Sequence, residues 1–156
     1  MGFFDKLFGQ SSNPWLIQGN DLRKGRSIEG LREAITCYNK AIETDPKCVE
    51  AWHNKGHCYK LLRNDEEAIQ CFDEAIKINP NYAEVWYNKG MCLESLHGSS
   101  QIFNGGTESQ KCLKKAIEID SRYKRFIENR YEPKVFRPDG TMVIKKFPPD
   151  PRKWSK

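Results

Sequence analysis

Hydrophobic residues recur along most of this chain at the spacing of amphipathic helices, and short polar stretches separate one helix from the next. The pattern itself repeats at a fixed interval. Trp86 follows Trp52 by one such interval, and Phe72 follows Tyr38 by the same interval. A fixed period of about 34 residues is typical of stacked helical hairpins, each of which buries its apolar stripe against the next.

Three copies of the pattern can be aligned, and two of them carry insertions. Trp15 precedes Trp52 by the period plus three further positions. Leu113 follows Phe72 by the period plus seven further positions. The extra residues therefore lie between the two helices of the first unit and between the two helices of the third, where residues 99–106 are expected to form a loop.

The residue types within each copy resemble those of the tetratricopeptide repeat. Trp52 is followed by Gly56, by a large residue three places later, and by an Ala-aromatic-Ala-Pro series in the second half. The resemblance covers about residues 13–121, although Ser109 and Ser121 stand where the family has Ala and Pro. The W-x-N-K-G spelling is similar to that of archaeal and bacterial members. The resemblance implies an all-α, right-handed α-solenoid of three helix-turn-helix units, at residues 13–47, 48–81 and 82–121.

Three segments outside the repeats complete the expected organisation. Residues 1–12 combine a polar hinge with an apolar helical face composed of Phe3, Phe4, Leu7 and Phe8. This face could lie on a membrane surface, but we favour packing onto the first repeat, because so short a helix holds little apolar area. Residues 122–132 predict a capping helix, and residues 133–156 predict a basic tail.

The capping helix and the tail each show a local pattern. Tyr123, Phe126 and Ile127 are expected to face the last repeat, since the end of a stack would otherwise expose an apolar surface to water. Pro138-Asp139-Gly140 separates two short β-prone runs and predicts a small hairpin. The Pro-rich stretch beyond it predicts an extended conformation.

Capping residues predict where several helices begin. Asn13 before Pro14 predicts the first helix, and Ser27 is expected to cap the second. Asn64 with a Glu three residues later resembles a capping box and predicts the start of the fourth helix. Thr107 with a Gln three residues later does the same for the sixth.

Motifs for catalysis and cofactor binding are absent from the sequence. It has no G-x-S-x-G, no phosphate-binding glycine loop and no C-x-x-C pair with zinc spacing. His53 and His57 lie four residues apart on one helix face, but further ligands do not follow at zinc spacing. We therefore expect neither an enzyme nor a metal or cofactor site.

The six cysteines and the lack of long apolar runs predict the compartment. The cysteines of the three second helices, Cys37, Cys71 and Cys112, are equivalent repeat positions, where Cys serves as a small apolar residue. Reduced, structural thiols are typical of cytoplasmic proteins. The sequence has no secretory signal pattern and no apolar run of about 20 residues. We expect a cytoplasmic protein, with peripheral membrane association as the alternative.

The resemblance also implies where a ligand binds. In tetratricopeptide folds the first helix of each unit lines a concave groove that holds an extended or helical peptide. Asn54 and Asn88 stand two residues after Trp52 and Trp86, and an amide can pair with both sides of a peptide bond. The alternative is that Asn is simply common on this solvated face. The candidate peptide-binding residues are Asn20, Arg23, His53, Asn54, His57, Lys60, Tyr87, Asn88 and Met91.

Some family members bind a C-terminal carboxylate with three basic residues and two asparagines. Asn20 and Asn54 match the asparagine positions, but the three basic positions hold Leu16, Glu84 and Asn88. Glu84 would repel a carboxylate. The sequence therefore predicts against recognition of the C-terminal tails of heat-shock chaperones.

Charge separates the repeats from the tail. Residues 121–156 contain 11 Lys and Arg against 4 Asp and Glu, a balance of +7, whereas the remaining residues contain 15 against 17. Cations interleaved with aromatic residues can bind single-stranded nucleic acid, a cationic tail can bind anionic lipid, and a third interpretation places the tail in the chain's own groove. Our main prediction is a non-enzymatic adaptor that binds a protein or peptide segment in the groove. The alternative is a tail that binds nucleic acid or an anionic membrane, with the repeats as scaffold.

Overall fold

A computed structural model describes residues 13–97, 107–131, 135–136 and 142–143. This part of the chain contains seven α-helices and two short β-strands. The described residues belong to two compact units, of which the first ends at Tyr123 and the second begins at Lys124. In chain order the elements are α1 (Pro14–Lys24), α2 (Ile28–Thr44), α3 (Val49–Leu61), α4 (Asp65–Ile78), α5 (Ala83–His97), α6 (Glu108–Ile119), α7 (Arg122–Tyr131), β1 (Val135–Phe136) and β2 (Met142–Val143).

The first six helices form three hairpins stacked in chain order. α1 packs on α2, α3 on α4 and α5 on α6, and α2–α3 and α4–α5 contacts join successive hairpins. This arrangement confirms the all-α solenoid that the repeat pattern predicts. Two helices lie within each expected unit, while the boundaries of the units stay a prediction. The expected N-terminal segment, the loop at residues 99–106 and the extended tail lie outside the described residues.

Three of the four expected helix caps are confirmed. Asn13 Oδ1 accepts a hydrogen bond from Trp15 N at 3.0 Å, and Ser27 Oγ accepts one from Gly30 N at 3.0 Å. Thr107 Oγ1 accepts one from the amide three residues later at 3.4 Å. The capping box at Asn64 is wrong, although α4 does begin at Asp65, because the Asn64 side chain makes no capping hydrogen bond. Its backbone (ψ 69°) lies outside the extended region that side-chain caps use.

The core lies between neighbouring hairpins and uses the positions that repeat. Phe72 is fully buried in a cluster with Ala68 and Ala75 of α4 and with Val85 and Cys92 of α5. This cluster joins the second unit to the third. Because each hairpin supplies only one wall of such a cluster, the hairpins depend on one another for stability.

Glycines in the first helices allow the two helices of a unit to approach closely. A Cβ atom at Gly56 would lie 2.7 Å from Cε1 of Phe72, and one at Gly19 would lie 2.6 Å from Cε1 of Tyr38. In the third unit the equivalent glycine faces Leu113, and a Cβ atom there would lie 2.9 Å from that side chain. The repeated glycine therefore marks a contact that leaves no space for a methyl group.

Trp52 and Trp86 occupy equivalent surroundings in their units. Trp52 Nε1 donates to the carbonyl oxygen of Pro46 at 3.1 Å, and Trp86 Nε1 donates to that of Pro80 at 2.8 Å. Each indole thus ties the start of a first helix to the turn before it. The matching geometry supports the register that was inferred from the repeat period.

The prediction for the apolar face of α7 is confirmed at Tyr123, while for Phe126 and Ile127 it stays a prediction. Tyr123 stacks against Tyr87 at 5.1 Å between ring centroids, and Ile127 is partly buried. Phe126, by contrast, has 62% of its surface exposed. Tyr123 and Ile127 are four residues apart and lie close together on a helix, which places Phe126 at the edge of that stripe.

The remaining elements are small. β1 and β2 pair in an antiparallel register, with Val135 opposite Val143 and Phe136 opposite Met142, as the predicted hairpin requires. The turn residues between these strands lie outside the described part of the chain. None of the described helices has the length and the apolar character needed to cross a membrane.

The six free cysteines should differ strongly in reactivity. Cys58, Cys92 and Cys112 have no exposed surface, and burial raises the pKa of their thiols to about 11, 12 and 11 respectively. Since the thiolate is the reactive form, these three should react with Ellman's reagent only when the protein opens. We expect at most three fast thiols in the native protein and six in guanidinium chloride. Six fast thiols in the native protein would contradict this packing.

Candidate functional site

A groove of about 490 Å³ lies in the part of the chain that ends at Tyr123. The first helices of its three hairpins, α1, α3 and α5, face this groove. Three successive first helices contribute to it, together with the turn between α4 and α5. The lining is mostly polar, as expected of a surface that contacts solvent or a polar ligand. The lining residues are Asn20 and Arg23 of α1, Val49, Glu50, His53, Asn54 and His57 of α3, Asn79 and Tyr82 of the turn, and Glu84 of α5.

Five of the nine candidate peptide-binding residues line this groove, namely Asn20, Arg23, His53, Asn54 and His57. The other four, Lys60, Tyr87, Asn88 and Met91, do not line it. Asn88 and Met91 are buried, with 4% and 7% of their surface exposed. Tyr87 lies beside Lys60, whose Nζ is 6.0 Å from the centroid of the tyrosine ring. Their role in binding a peptide stays a prediction.

Asn20 is the centre of a hydrogen-bond network across the first two units. Its Oδ1 accepts from Asn54 Nδ2 at 2.8 Å and from the Tyr38 hydroxyl at 2.9 Å. Its Nδ2 donates to Glu50 Oε1 at 3.2 Å. One asparagine thus connects α1, α2 and α3. Because Asn54 has only 5% of its surface exposed, its amide is fixed in one orientation before any ligand arrives.

His53 has the same connecting role between the second and third units. Asn88 Nδ2 lies 3.4 Å from His53 Nε2, and the Tyr82 hydroxyl lies 3.4 Å from His53 Nδ1. An amide nitrogen can only donate, so Nε2 accepts and Nδ1 carries the proton. Asn88 Oδ1 accepts a 2.7 Å hydrogen bond from Lys60 Nζ. The hydrogen-bond network therefore extends from His53 through Asn88 to the positively charged Lys60.

Both groove histidines are neutral at pH 7. Burial, followed by the positive charges of Arg23 and Lys60, lowers the pKa of His53 to about 4. The same causes, in the same order, lower the pKa of His57 to about 4. Arg23 Nη1 lies 3.4 Å from His57 Nδ1, and since a guanidinium only donates, this ring nitrogen is the acceptor. The histidines therefore act as polar, uncharged parts of the groove wall.

The charged groups at the groove are unequally distributed. Glu50 and Glu84 are exposed and stand one repeat apart in the first turns of α3 and α5. The only lysine or arginine among the residues that line the groove is Arg23. Leu16, at one of the basic positions of carboxylate-binding relatives, is buried in the core instead of facing the groove.

The described residues contain no group of three or more His, Cys, Asp or Glu side chains placed to hold a metal ion. The rings of His53 and His57 are 6.4 Å apart at their centroids and approach edge to face. Other neighbours of these rings are Arg23, Asn88, Tyr82, Phe72 and Glu84, of which Glu84 Oε1 lies 3.8 Å from His53 Nε2. Neutral imidazoles held in this way can accept and donate hydrogen bonds, which suits binding to peptide groups.

Five residues that line the groove are not among the nine candidate residues, namely Val49, Glu50, Asn79, Tyr82 and Glu84. Asn79 and Tyr82 flank the Pro80 turn that leads from α4 into α5. The prediction considered only the inner faces of first helices, so the turns between units were left out. A signal was present in the sequence, because a tyrosine directly after a helix-ending Asn-Pro-Asn turn must lie near the start of the next first helix.

Comparisons with known proteins agree with this geometry. Two models of the tetratricopeptide repeat match residues 49–82 and 71–106, and a model of the protein prenyltransferase alpha subunit repeat matches residues 31–62. No curated protein matches the sequence. The two tetratricopeptide matches overlap and include the second unit, where the spelling of the repeat is most regular.

Solved structures with the same fold are distant in sequence. The second TPR domain of Spaghetti (RPAP3), bound to the HSP90 peptide SRMEEVD, is 20% identical with a TM-score of 0.60, over 71% of this chain and 94% of that one. The TPR domain of Arabidopsis OM64 is 19% identical with a TM-score of 0.65, over 78% and 93%. The TPR2B domain of yeast Sti1, in a complex with pHsp70, is 16% identical with a TM-score of 0.61, over 78% and 90%. Residues 49–106 therefore match the tetratricopeptide repeat models, and the described hairpins have the fold of solved tetratricopeptide repeat domains, with which the repeated Trp, Gly and aromatic contacts agree.

Proposed function

We propose that this protein is a non-enzymatic adaptor that binds a peptide or protein segment in the groove lined by α1, α3 and α5. The observation that carries the proposal is the groove itself, about 490 Å³ in volume and walled by fixed polar side chains of three successive units. A ligand pocket whose wall is held in place before binding loses less entropy when the ligand arrives. Similar folds hold peptides of HSP90 in two solved structures, which supports a peptide as the class of ligand.

Asn54 offers the clearest contact for a peptide backbone. Its Nδ2 already donates a hydrogen bond to Asn20 Oδ1, whereas its own Oδ1 accepts no hydrogen bond from any residue in the described ranges. A peptide N–H could supply the missing donor. Asn88 has both amide atoms engaged, with Lys60 and His53, so it would act by holding His53 in position.

The proposal predicts that the substitution Asn54→Ala combined with Asn88→Ala weakens peptide binding about tenfold or more, through loss of a direct contact and of the support for His53. Ligands would be selected from a library of random twelve-residue peptides, and affinity measured by fluorescence anisotropy. Both substitutions also remove internal hydrogen bonds, so a control of similar cost is needed. Ser95→Ala removes a 2.6 Å hydrogen bond to Asp65 outside the groove and should leave the affinity unchanged.

Equal affinity in the double variant and the wild type would place the ligand elsewhere. The basic tail is the alternative surface, and its binding to nucleic acid or anionic lipid would fall steeply with salt. A full-length variant with Lys145, Lys146, Arg152 and Lys153 changed to Gln separates the two surfaces. In the groove proposal this variant keeps its affinity for the selected peptides, and salt has a weak effect.

A further inference from the structure

The groove has more free hydrogen-bond acceptors than donors. Glu50 Oε1 accepts from Asn20 at 3.2 Å, while no donor to its second carboxylate oxygen is found in the described ranges. The nearest partner of Glu84 is the neutral ring of His53, at 3.8 Å. Asn54 is 5% exposed, and its Oδ1 accepts no hydrogen bond within the same ranges. Asn54 Oδ1 is therefore an open acceptor at the groove wall, and it can pair with a ligand that donates.

The donors of the groove are largely committed. Asn20 Nδ2 donates to Glu50, and Asn54 Nδ2 donates to Asn20. Arg23, the only Lys or Arg among the described residues that line the groove, directs its Nη1 at His57 Nδ1, while its buried Nε has no partner within the described residues. Apart from this enclosed Nε, an acidic ligand would therefore find few open donors, whereas a ligand rich in N–H groups would find open acceptors.

The carboxylates of Glu50 and Glu84 are spaced to contact two similar groups of one ligand. Glu50 and Glu84 are one repeat period apart, so they occupy the same position in successive units. Each lies in the first turn of its helix, where the helix dipole favours a negative charge. Both are exposed, and the described part of the chain places no Lys or Arg within ion-pair distance of either.

Resting on the proposed function, we propose that the groove selects segments that carry lysine or arginine, with their cationic groups at Glu50 and Glu84 and a backbone N–H at Asn54 Oδ1. The preference is opposite to that of relatives that bind an acidic C-terminal peptide. We expect this preference because the two carboxylates lie beside other open acceptors in a groove that exists before the ligand binds. An ammonium or guanidinium group at each of the two carboxylates would form charge-assisted hydrogen bonds with it.

The test uses four fluorescein-labelled peptides and the full-length protein. Three are amidated twelve-residue peptides of Ala, Ser and Thr that differ only in whether four fixed positions hold Lys, Gln or Glu. The fourth is SRMEEVD, with a free carboxylate. We expect the Lys peptide to bind about tenfold more tightly than the Gln peptide, and the Glu peptide and SRMEEVD to bind more weakly than both, although the whole chain is positively charged.

Two double variants, each of which removes two negative charges, show which carboxylates cause the preference for Lys. Glu50→Gln with Glu84→Gln should remove the tenfold preference for Lys, so that the Lys and Gln peptides bind this variant with similar affinity. Glu33→Gln with Glu43→Gln alters exposed carboxylates of α2 outside the groove lining and should keep the preference. Anisotropy and thermal unfolding would be measured on each protein, so that loss of fold is recognised.

The outcomes separate this inference from the function on which it rests. Binding of the Gln peptide without a preference for Lys, or tighter binding of SRMEEVD, overturns the inference and leaves the adaptor function standing. A preference for Lys that survives in the Glu50 and Glu84 double variant also overturns it, because the cations then bind elsewhere. Failure of all four peptides to bind, with selected library peptides failing as well, overturns the proposed function itself.

Discussion

Replacing Phe72 with alanine is expected to reduce the free energy of unfolding by about 3–5 kcal/mol, the usual range for a fully buried phenylalanine. Phe72 has no exposed surface, and its cluster joins α4 to Val85 and Cys92 of α5. The substitution therefore weakens one hairpin and its contact with the next. Since a domain of this size has a total stability of about 5–15 kcal/mol, the melting temperature should fall by more than about ten degrees.

The measurement is unfolding followed by circular dichroism, in urea and by heating. Phe126→Ala is a matched control, because it removes the same side chain where 62% of the surface is exposed, and it should cost much less. Similar losses for the two substitutions would show that the hairpins are not held together by this cluster. The role of the repeated aromatic position in stacking would then be wrong.

The contact between Phe72 and Gly56 adds a second check on the same cluster. A side chain at Gly56 would meet the Phe72 ring at 2.7 Å, so Gly56→Val should destabilise the protein by about 2–3 kcal/mol. In the double variant Gly56→Val with Phe72→Ala the valine enters the space left by the ring, so the two losses should not add. Gly25→Ala is the control, because a Cβ atom there meets only Leu22 O at 3.7 Å. Additive losses in the double variant would mean that the two residues do not touch.

The sequence was sufficient to predict the hairpins because the same requirement acts on every unit. A short hairpin cannot bury its apolar stripe alone, so the residues that form its interfaces recur with the period of the repeat. Trp52 and Trp86 are recognisable in the sequence and have the same partner in space. Local capping was predicted less well, since Asn64 has the right residue type but not the extended backbone that a side-chain cap needs.

The groove could be located from the sequence, but its hydrogen bonds could not. Helical periodicity shows which face of α3 carries Asn54, and it does not show that Asn20 of another helix will accept from it at 2.8 Å. Such a pairing depends on how closely successive units approach, which the period does not specify. The sequence indicated a free amide, whereas the structure shows an amide with one atom committed and one open.

For Lys89 as well, the sequence gives the position of the residue on its helix but not its partners in space. It follows Lys55 by 34 residues and so occupies the same repeat position, which indicates nothing about its partners. In the structure Lys89 Nζ lies 2.7 Å from Asp73 Oδ1 and 3.9 Å from Glu108 Oε1. Its side chain is 13% exposed, so the stem is packed while the charge is neutralised by α4 and α6. The lysine thus adds a charged link between units two and three.

Acidification from pH 7 to pH 5 is expected to destabilise the protein by roughly 2 kcal/mol for each of its two groove histidines. The pKa of both is about 4 in the folded protein, against 6.5 for a histidine in an unfolded chain. Between these values the unfolded chain binds more protons than the folded one. The stability is therefore fully present above pH 6.5 and is lost as the pH falls towards 4.

The surroundings of the two rings explain why protonation is unfavourable. Burial is the largest cause for both, and the charges of Arg23 and Lys60 add to it. Glu84 acts in the opposite direction on His57, and Tyr82 contacts His53 only as a neutral hydroxyl. A protonated His53 would also lose Nε2 as the acceptor for the Asn88 amide. Acid should therefore break the link between the second and third units first.

Urea unfolding at pH 7, 6 and 5 measures the effect, over a range in which most carboxylates stay ionised. His57→Gln should reduce the pH dependence by up to half, because glutamine has no proton to bind and its amide can still accept from Arg23. His97→Gln replaces an exposed histidine at the end of α5 and should keep the full dependence of the wild type. If His57→Gln and His97→Gln gave the same slope, the groove histidines would not be the groups that titrate. The polar network between α1, α3 and α5 would then have to be more open to water than its distances and burial indicate.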